Sequence, residues 1–79
     1  MVKIPQHAKN QLVKRGINEI DVIETVEGGK IIIEEINGRF GLKKYSRMRG
    51  LARDLIVAWF FNKKEEKEIV TAYWRGRRL

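Results

Sequence analysis

The chain has 79 residues, with 17 Lys and Arg against 10 Asp and Glu, one His and no Cys. That length allows one domain, residues 1–79, with room for a modest core. The lack of cysteine excludes disulfides and thiolate metal sites. A hydrophobic content of 43% beside 34% charged residues describes a folding chain rather than a disordered one. The longest uncharged apolar run, Leu55 to Phe61, is far too short to span a bilayer. The opening Met1-Val2-Lys3-Ile4-Pro5 lacks the apolar stretch of a secretory signal, so a cytoplasmic protein is expected.

The net charge of +7 is unevenly spread. Residues 1–38 carry five Lys and Arg against six Asp and Glu, whereas residues 39–79 carry twelve against four. Seven of the eight arginines lie in that second part. The planar guanidinium fork matches phosphate, so an arginine-rich half on a neutral half is the footprint expected of a polyanion-binding protein. The alternative is a solvated, thermophile-like charged surface, but that would mix both signs everywhere.

In chain order, Ile4-Pro5 opens a first helix, with proline where a missing N–H does no harm. Ile4, Ala8, Leu12 and Arg15 follow at helical spacing, and Gly16 supplies a left-handed C-terminal cap. Asn18 caps a second helix, with Asp21 as its capping partner. Ile20, Ile23 and Val26 form its apolar stripe, Val22 widens it, and Gly28-Gly29 ends it. Lys30 to Ile36 is a β-branched run, and Asn37-Gly38 predicts a two-residue hairpin with positive φ at both positions. In that register Ile36 opposes Arg39, Ile33 opposes Leu42 and Ile31 opposes Lys44. One face then holds Ile31, Ile33, Phe40 and Leu42, and the other holds Ile32, Glu34, Arg39 and Lys43. Ser46 to Ala52 has no clear period and reads as a loop.

Two further strands follow, from Arg53 to Phe61 and from Glu68 to Arg75, separated by the charged turn Asn62 to Lys67. The first of these is apolar enough to be buried on both faces. The expected fold is α+β, α-α-β-β-β-β. Two N-terminal helices pack on one face of a four-stranded antiparallel meander, and the other face is left open. Ile20, Ile23, Val26, Ile31 and Ile33 are assigned to the core.

The stretch His7-Ala8-Lys9-Asn10-Gln11-Leu12-Val13-Lys14-Arg15-Gly16-Ile17 resembles the opening of a family of small uncharacterised proteins. That family's pattern is like His-Ala-x-x-Arg-Met-x-x-Arg-Gly-Ile, followed by an acidic, aliphatic second helix and a closing strand like Val-x-Thr-x-Tyr. The closing counterpart here is Ile69-Val70-Thr71-Ala72-Tyr73, and Gln11 stands where the family usually has Arg. The family is similar to the RelE-type toxins, compact α+β ribonucleases that cut messenger RNA. The resemblance implies a RelE-like fold, RNA as ligand and an antitoxin-like protein partner.

A metal-free ribonuclease needs cations around the scissile phosphate, a base for the 2′-hydroxyl and an acid for the leaving oxygen. The last strand puts Thr71, Tyr73 and Arg75 on one face and Val70, Ala72 and Trp74 on the other. The small Val and Ala side chains suit helix packing, so Tyr73 and Arg75 are expected on the open side. Arg53 would join them from the neighbouring strand. His7, the only histidine, is either a proton-transfer group or a hydrogen-bonding residue within the first helical turn. Lys43, Lys44, Arg47, Arg49, Arg77 and Arg78 are the expected contacts for the rest of the nucleic acid.

Trp59 is expected in the core, while Trp74 is left between core and base-stacking platform. One His, no Cys and two Asp give no metal-ligand cluster, and no cofactor is expected. Glu34 and Glu35 point to opposite faces of a strand and cannot act as a paired acid and base. Ser46, the sole serine, has no nucleophile-elbow pattern around it, and no glycine-rich phosphate loop is present. Two other readings stand beside the ribonuclease: a non-catalytic nucleic-acid-binding module, and an interaction protein or toxin relic whose open face a partner chain covers.

Overall fold

The computed structural model of the protein describes residues 1–38 and 41–76. The elements are β1 (Val2–Lys3), α1 (Gln6–Arg15), α2 (Glu19–Gly28), β2 (Lys30–Asn37), β3 (Gly41–Arg49), β4 (Arg53–Phe61) and β5 (Lys67–Gly76). They form an α+β fold with two helices on a five-stranded mixed sheet of order β1-β5-β4-β3-β2. The meander β2-β3-β4-β5 is antiparallel as expected. The fifth strand is a correction: β1 pairs in parallel with the start of β5, Val2 with Lys67 and Lys3 with Glu68. Two residues carry no alternation pattern, which is why the sequence is silent about it.

Both helices end as their glycines dictate. Gly16 takes φ 65, and the Ile17 amide reaches back to the Leu12 carbonyl at 2.9 Å, closing α1 and turning Ile17 into the core. Gly29 lies against the sheet: a Cβ there would come within 2.7 Å of the Arg47 carbonyl oxygen, so only glycine permits this approach of α2 to β3. Asn18 holds the N-cap position of α2 without a side-chain cap, contrary to expectation.

The core is one cluster. Ala8 and Leu12 of α1, Ile17, and Val22 and Val26 of α2 pack on Leu55, Val57 and Trp59 of β4 and on Ile69 and Ala72 of β5. Trp59 is buried as expected, and its indole Nε1 donates to Ser46 Oγ at 2.8 Å. That pairing explains a second correction. Ser46 sits inside β3, which runs on to Arg49, so the segment expected to be a loop is strand through Arg49. A serine buried against a tryptophan leaves no apolar alternation to read.

Four of the five core assignments beyond Trp59 fail. Val26 is buried, but Ile20, Ile23, Ile31 and Ile33 are all exposed, while Val22 and Thr25 take the buried face of α2. The stripe was right in period and wrong in phase by about a third of a turn. β2 is the outermost strand, and the helices pack on β3, β4 and β5, so its isoleucines gain no cover.

The β2–β3 turn also differs from the two-residue prediction. Asn37 pairs with Gly41 and Ile36 with Leu42, and the left-handed residue is Gly41, φ 71. The connection is therefore longer by a residue. Arg39 and Phe40 lie outside the described residues. Among the described residues no helix is long and apolar enough to cross a membrane.

Candidate nucleic-acid interface

The sheet has two unlike faces. Leu55, Val57 and Trp59 point into the helix layer. Ile56 and Ala58 alternate with them, so they belong to the opposite face, and both are fully buried although they stand outside that cluster. Cross-strand pairing then lays out, row by row, the face that no helix covers among the described residues, hereafter the uncovered face. Ile33, Tyr45 and Ala58 form one row, which ends on β5 at Thr71, whose hydroxyl is taken up by side chains of α1. Lys30, Arg47, Ile56 and Tyr73 form the next. Arg49, Asp54 and Arg75 form the last. Glu35 faces Lys43 at the far end of the same side.

The end of the face nearest Gly50 therefore gathers Lys30, Arg47, Arg49 and Arg75 in the same two rows as Tyr73, with Asp54 as the one carboxylate among them. Among the described residues none of these four cations enters an ion pair. Ile56 has 0% exposure without a helix above it, and Arg47 and Tyr73 flank it in register on either side. Long side chains beside an apolar residue lie along it and lift their polar ends to solvent. Tyr73 retains 37% exposure, enough to offer a ring face to a ligand. The two strands that carry Arg47 and Tyr73 are two spacings apart, about 10 Å.

The opposite end of the face is electrostatically quiet. Lys43 Nζ lies 2.9 Å from Glu35 Oε1, and the Tyr45 hydroxyl donates to the same oxygen at 3.1 Å. Hydrogen bonds from Lys43 and then Tyr45 hold the Glu35 carboxyl below the usual glutamate range, and bonding to Tyr45 and Glu35 raises Lys43.

The expected site residues are thus divided. Tyr73, Arg75, Arg47 and Arg49 come together on the uncovered face. Arg53 does not join them: it alternates with Asp54 onto the helix side, where its guanidinium lies 4.0 Å above the Trp74 ring. Lys44 is also on the helix side, its amine over the rings of Trp59 and Phe61. Lys43 is on the uncovered face but neutralised by Glu35. His7 is exposed on the first turn of α1. Arg15, eight residues later and so about 12 Å along the helix, is the residue that reaches β5 at Thr71 and Ala72. His7 shares the stripe of α1 that carries Gln11 and Arg15, about two turns before the residue that reaches β5. Arg77 and Arg78 lie outside the described residues.

The residues that carry the sequence resemblance have a structural job. Arg15 Nη1 donates to Thr71 Oγ1 at 3.1 Å and to the Ala72 carbonyl at 2.7 Å, and Thr71 Oγ1 donates to Gln11 Oε1 at 2.9 Å. Trp74 Nε1 donates to the Arg15 carbonyl at 3.2 Å, which half-buries Trp74 rather than leaving it as a stacking platform. β1 pairs only with the first residues of β5, so Arg15 closes part of the strand edge beyond them. The first helix and last strand are thus clamped together directly behind Tyr73.

Lys30 and Tyr45 belong to the face without having been singled out in the sequence. The irregular β2–β3 register places Lys30, and no local pattern announces it. Among the described residues no three His, Cys, Asp or Glu side chains gather where a metal ion would be held.

No curated protein matches the chain, and no solved structure does. Residues 4–74 match the model of a domain of unknown function, so the chain belongs to the DUF4258 family.

Proposed function

We propose that the protein is a small RNA-interacting domain that binds with the uncovered face of its sheet. One observation carries this reading: Lys30, Arg47, Arg49 and Arg75 share two adjacent rows of one sheet face with an accessible Tyr73, without ion-pair partners among the described residues. Guanidinium groups supply phosphate contacts and the tyrosine a stacking surface, the combination single-stranded nucleic acid uses. Two helices followed by a four-stranded antiparallel meander, together with the resemblance of the His7–Ile17 and Ile69–Tyr73 stretches to a family similar to RelE-type toxins, support RNA in particular. Fluorescence titration of labelled RNA against salt tests it. Binding should weaken steeply as salt rises, with a log–log slope near the number of phosphates neutralised. A flat slope, or no binding at low salt, would sink the reading.

A second reading, metal-independent RNA cleavage, is favoured by one local feature. Tyr73 has Arg75 two residues along its own strand and Arg47 two strands away in the same row, about 10 Å, so a proton donor and two cations border one stretch of the face. The 2′-hydroxyl would lose its proton to solvent water as it attacks phosphorus, Tyr73 would protonate the leaving oxygen, and the arginines would stabilise the charged phosphorane. Arg53, on the helix side, takes no part. Incubation of RNA in chelator distinguishes the two: cleavage abolished by Tyr73→Phe supports catalysis, and intact RNA with tight binding leaves a binding module.

A further inference from the structure

We infer that the bound polyanion crosses the strands at the Gly50 end of the sheet, and that Lys30 is its outer anchor, put there by a β-bulge at Ile32. This rests on the RNA reading above. Ile31 pairs with Ser46 and Ile33 with Tyr45, consecutive residues of β3, so Ile32 is an extra residue in β2. Side chains alternate along a strand. Without the extra residue, counting back from Ile33 puts Lys30 on the helix side. With it, Lys30 pairs with Arg47 on the uncovered face. Bulges re-aim side chains in this way. The bulge half-buries Ile32 but leaves Ile31, the residue it turns toward the helix side, 41% exposed.

The direction of the ligand follows from the charge pattern. Across the strands, Lys30 and Arg47 lead to Tyr73, and Arg49 and Arg75 run beside them. From β2 to β5 this band covers three strand spacings, about 14 Å. Along the strands the positive charge gives out, because Glu35 on β2 is paired with Lys43 and Glu68 on β5 occupies the far end of the face. A phosphate backbone laid along the strands runs from these cations toward Glu68; laid across them, it meets Lys30 and Arg47 and then Tyr73, with Arg49 and Arg75 on either side of the buried Asp54.

The test uses fluorescein-labelled decauridylate as the probe. Lys30→Ala should weaken binding about fivefold and lower the log–log salt slope by about one. Lys30→Arg should restore the slope, and Lys44→Ala, on the helix side, should leave it unchanged. Deletion of Ile32 should weaken binding as much as Lys30→Ala, and combining the two should cost nothing more. Circular dichroism establishes that the deletion folds; if it does not, the Lys30 and Lys44 variants decide. An unchanged slope in Lys30→Ala, with binding still lost in Arg47→Ala, overturns the path and leaves the RNA reading standing. An equal loss in Lys44→Ala overturns it too, since net charge would then suffice. Wild type that fails to bind decauridylate at low salt overturns both.

Discussion

The two faces of the sheet are built from the same four long strands yet do opposite things. The helix face carries Leu55, Val57, Trp59, Ile69 and Ala72 under a helical cover, and polar groups there are bonded inward, as Trp59 is to Ser46. The uncovered face carries cations without ion-pair partners among the described residues beside a buried Ile56 and Ala58. Stability should therefore reside on one side and ligand affinity on the other, and substitutions should separate the two.

The largest expected effect is on the covered side. Leu12→Ala removes a fully buried side chain between α1 and the sheet and should cost about 3 kcal/mol of unfolding free energy in urea titrations, with RNA affinity unchanged while the protein stays folded. On the other face the pattern inverts. Arg47→Ala with Arg75→Ala should weaken RNA binding about a hundredfold at moderate salt, while the urea midpoint stays close to wild type. Equal losses of stability and affinity in both variants would dissolve the distinction between the faces. Tyr73→Ala should cost about tenfold in affinity through lost stacking, and Tyr73→Phe should retain most of the binding.

Smaller effects sharpen the comparison. Ile36 is 91% exposed beyond the helix cover, so Ile36→Ser should change stability by no more than about 0.5 kcal/mol. The smallest effect concerns pH. Glu35 is held below its ordinary range, so its contribution is present above the usual glutamate pKa and is lost as pH falls through the lowered value. Raised Lys43 contributes below the usual lysine pKa and loses that contribution as pH rises through its own elevated value. Glu35 is solvent-exposed, so only a shallow acid-side decline should appear, and Lys43→Ala should flatten it in thermal melts across pH.

The long elements were legible because each has a strong local cause. Gly16 ends α1, the aromatic run from Leu55 builds a strand buried on both faces, and strand alternation alone puts Tyr73 with Arg75. What failed depends on neighbours. The isoleucines of β2 look like core but form an edge strand beyond the helices, and Ser46 looks like loop because its hydrogen bond to Trp59 is invisible in a linear pattern. Arg53 follows the same rule: it starts the strand beside Tyr73 and Arg75, yet parity with Asp54 sends it to Trp74. The bulge at Ile32 reverses parity in the other direction and brings in Lys30.

The sequence by itself determined the α+β class, the apolar central strand, and the concentration of guanidinium groups in the second half of the chain. Those follow from periodicity, turn residues and composition, which act over a few neighbouring positions. Only the tertiary structure decided which cations share a face, because that depends on the register between strands far apart in sequence, and one extra residue inverts every side chain beyond it.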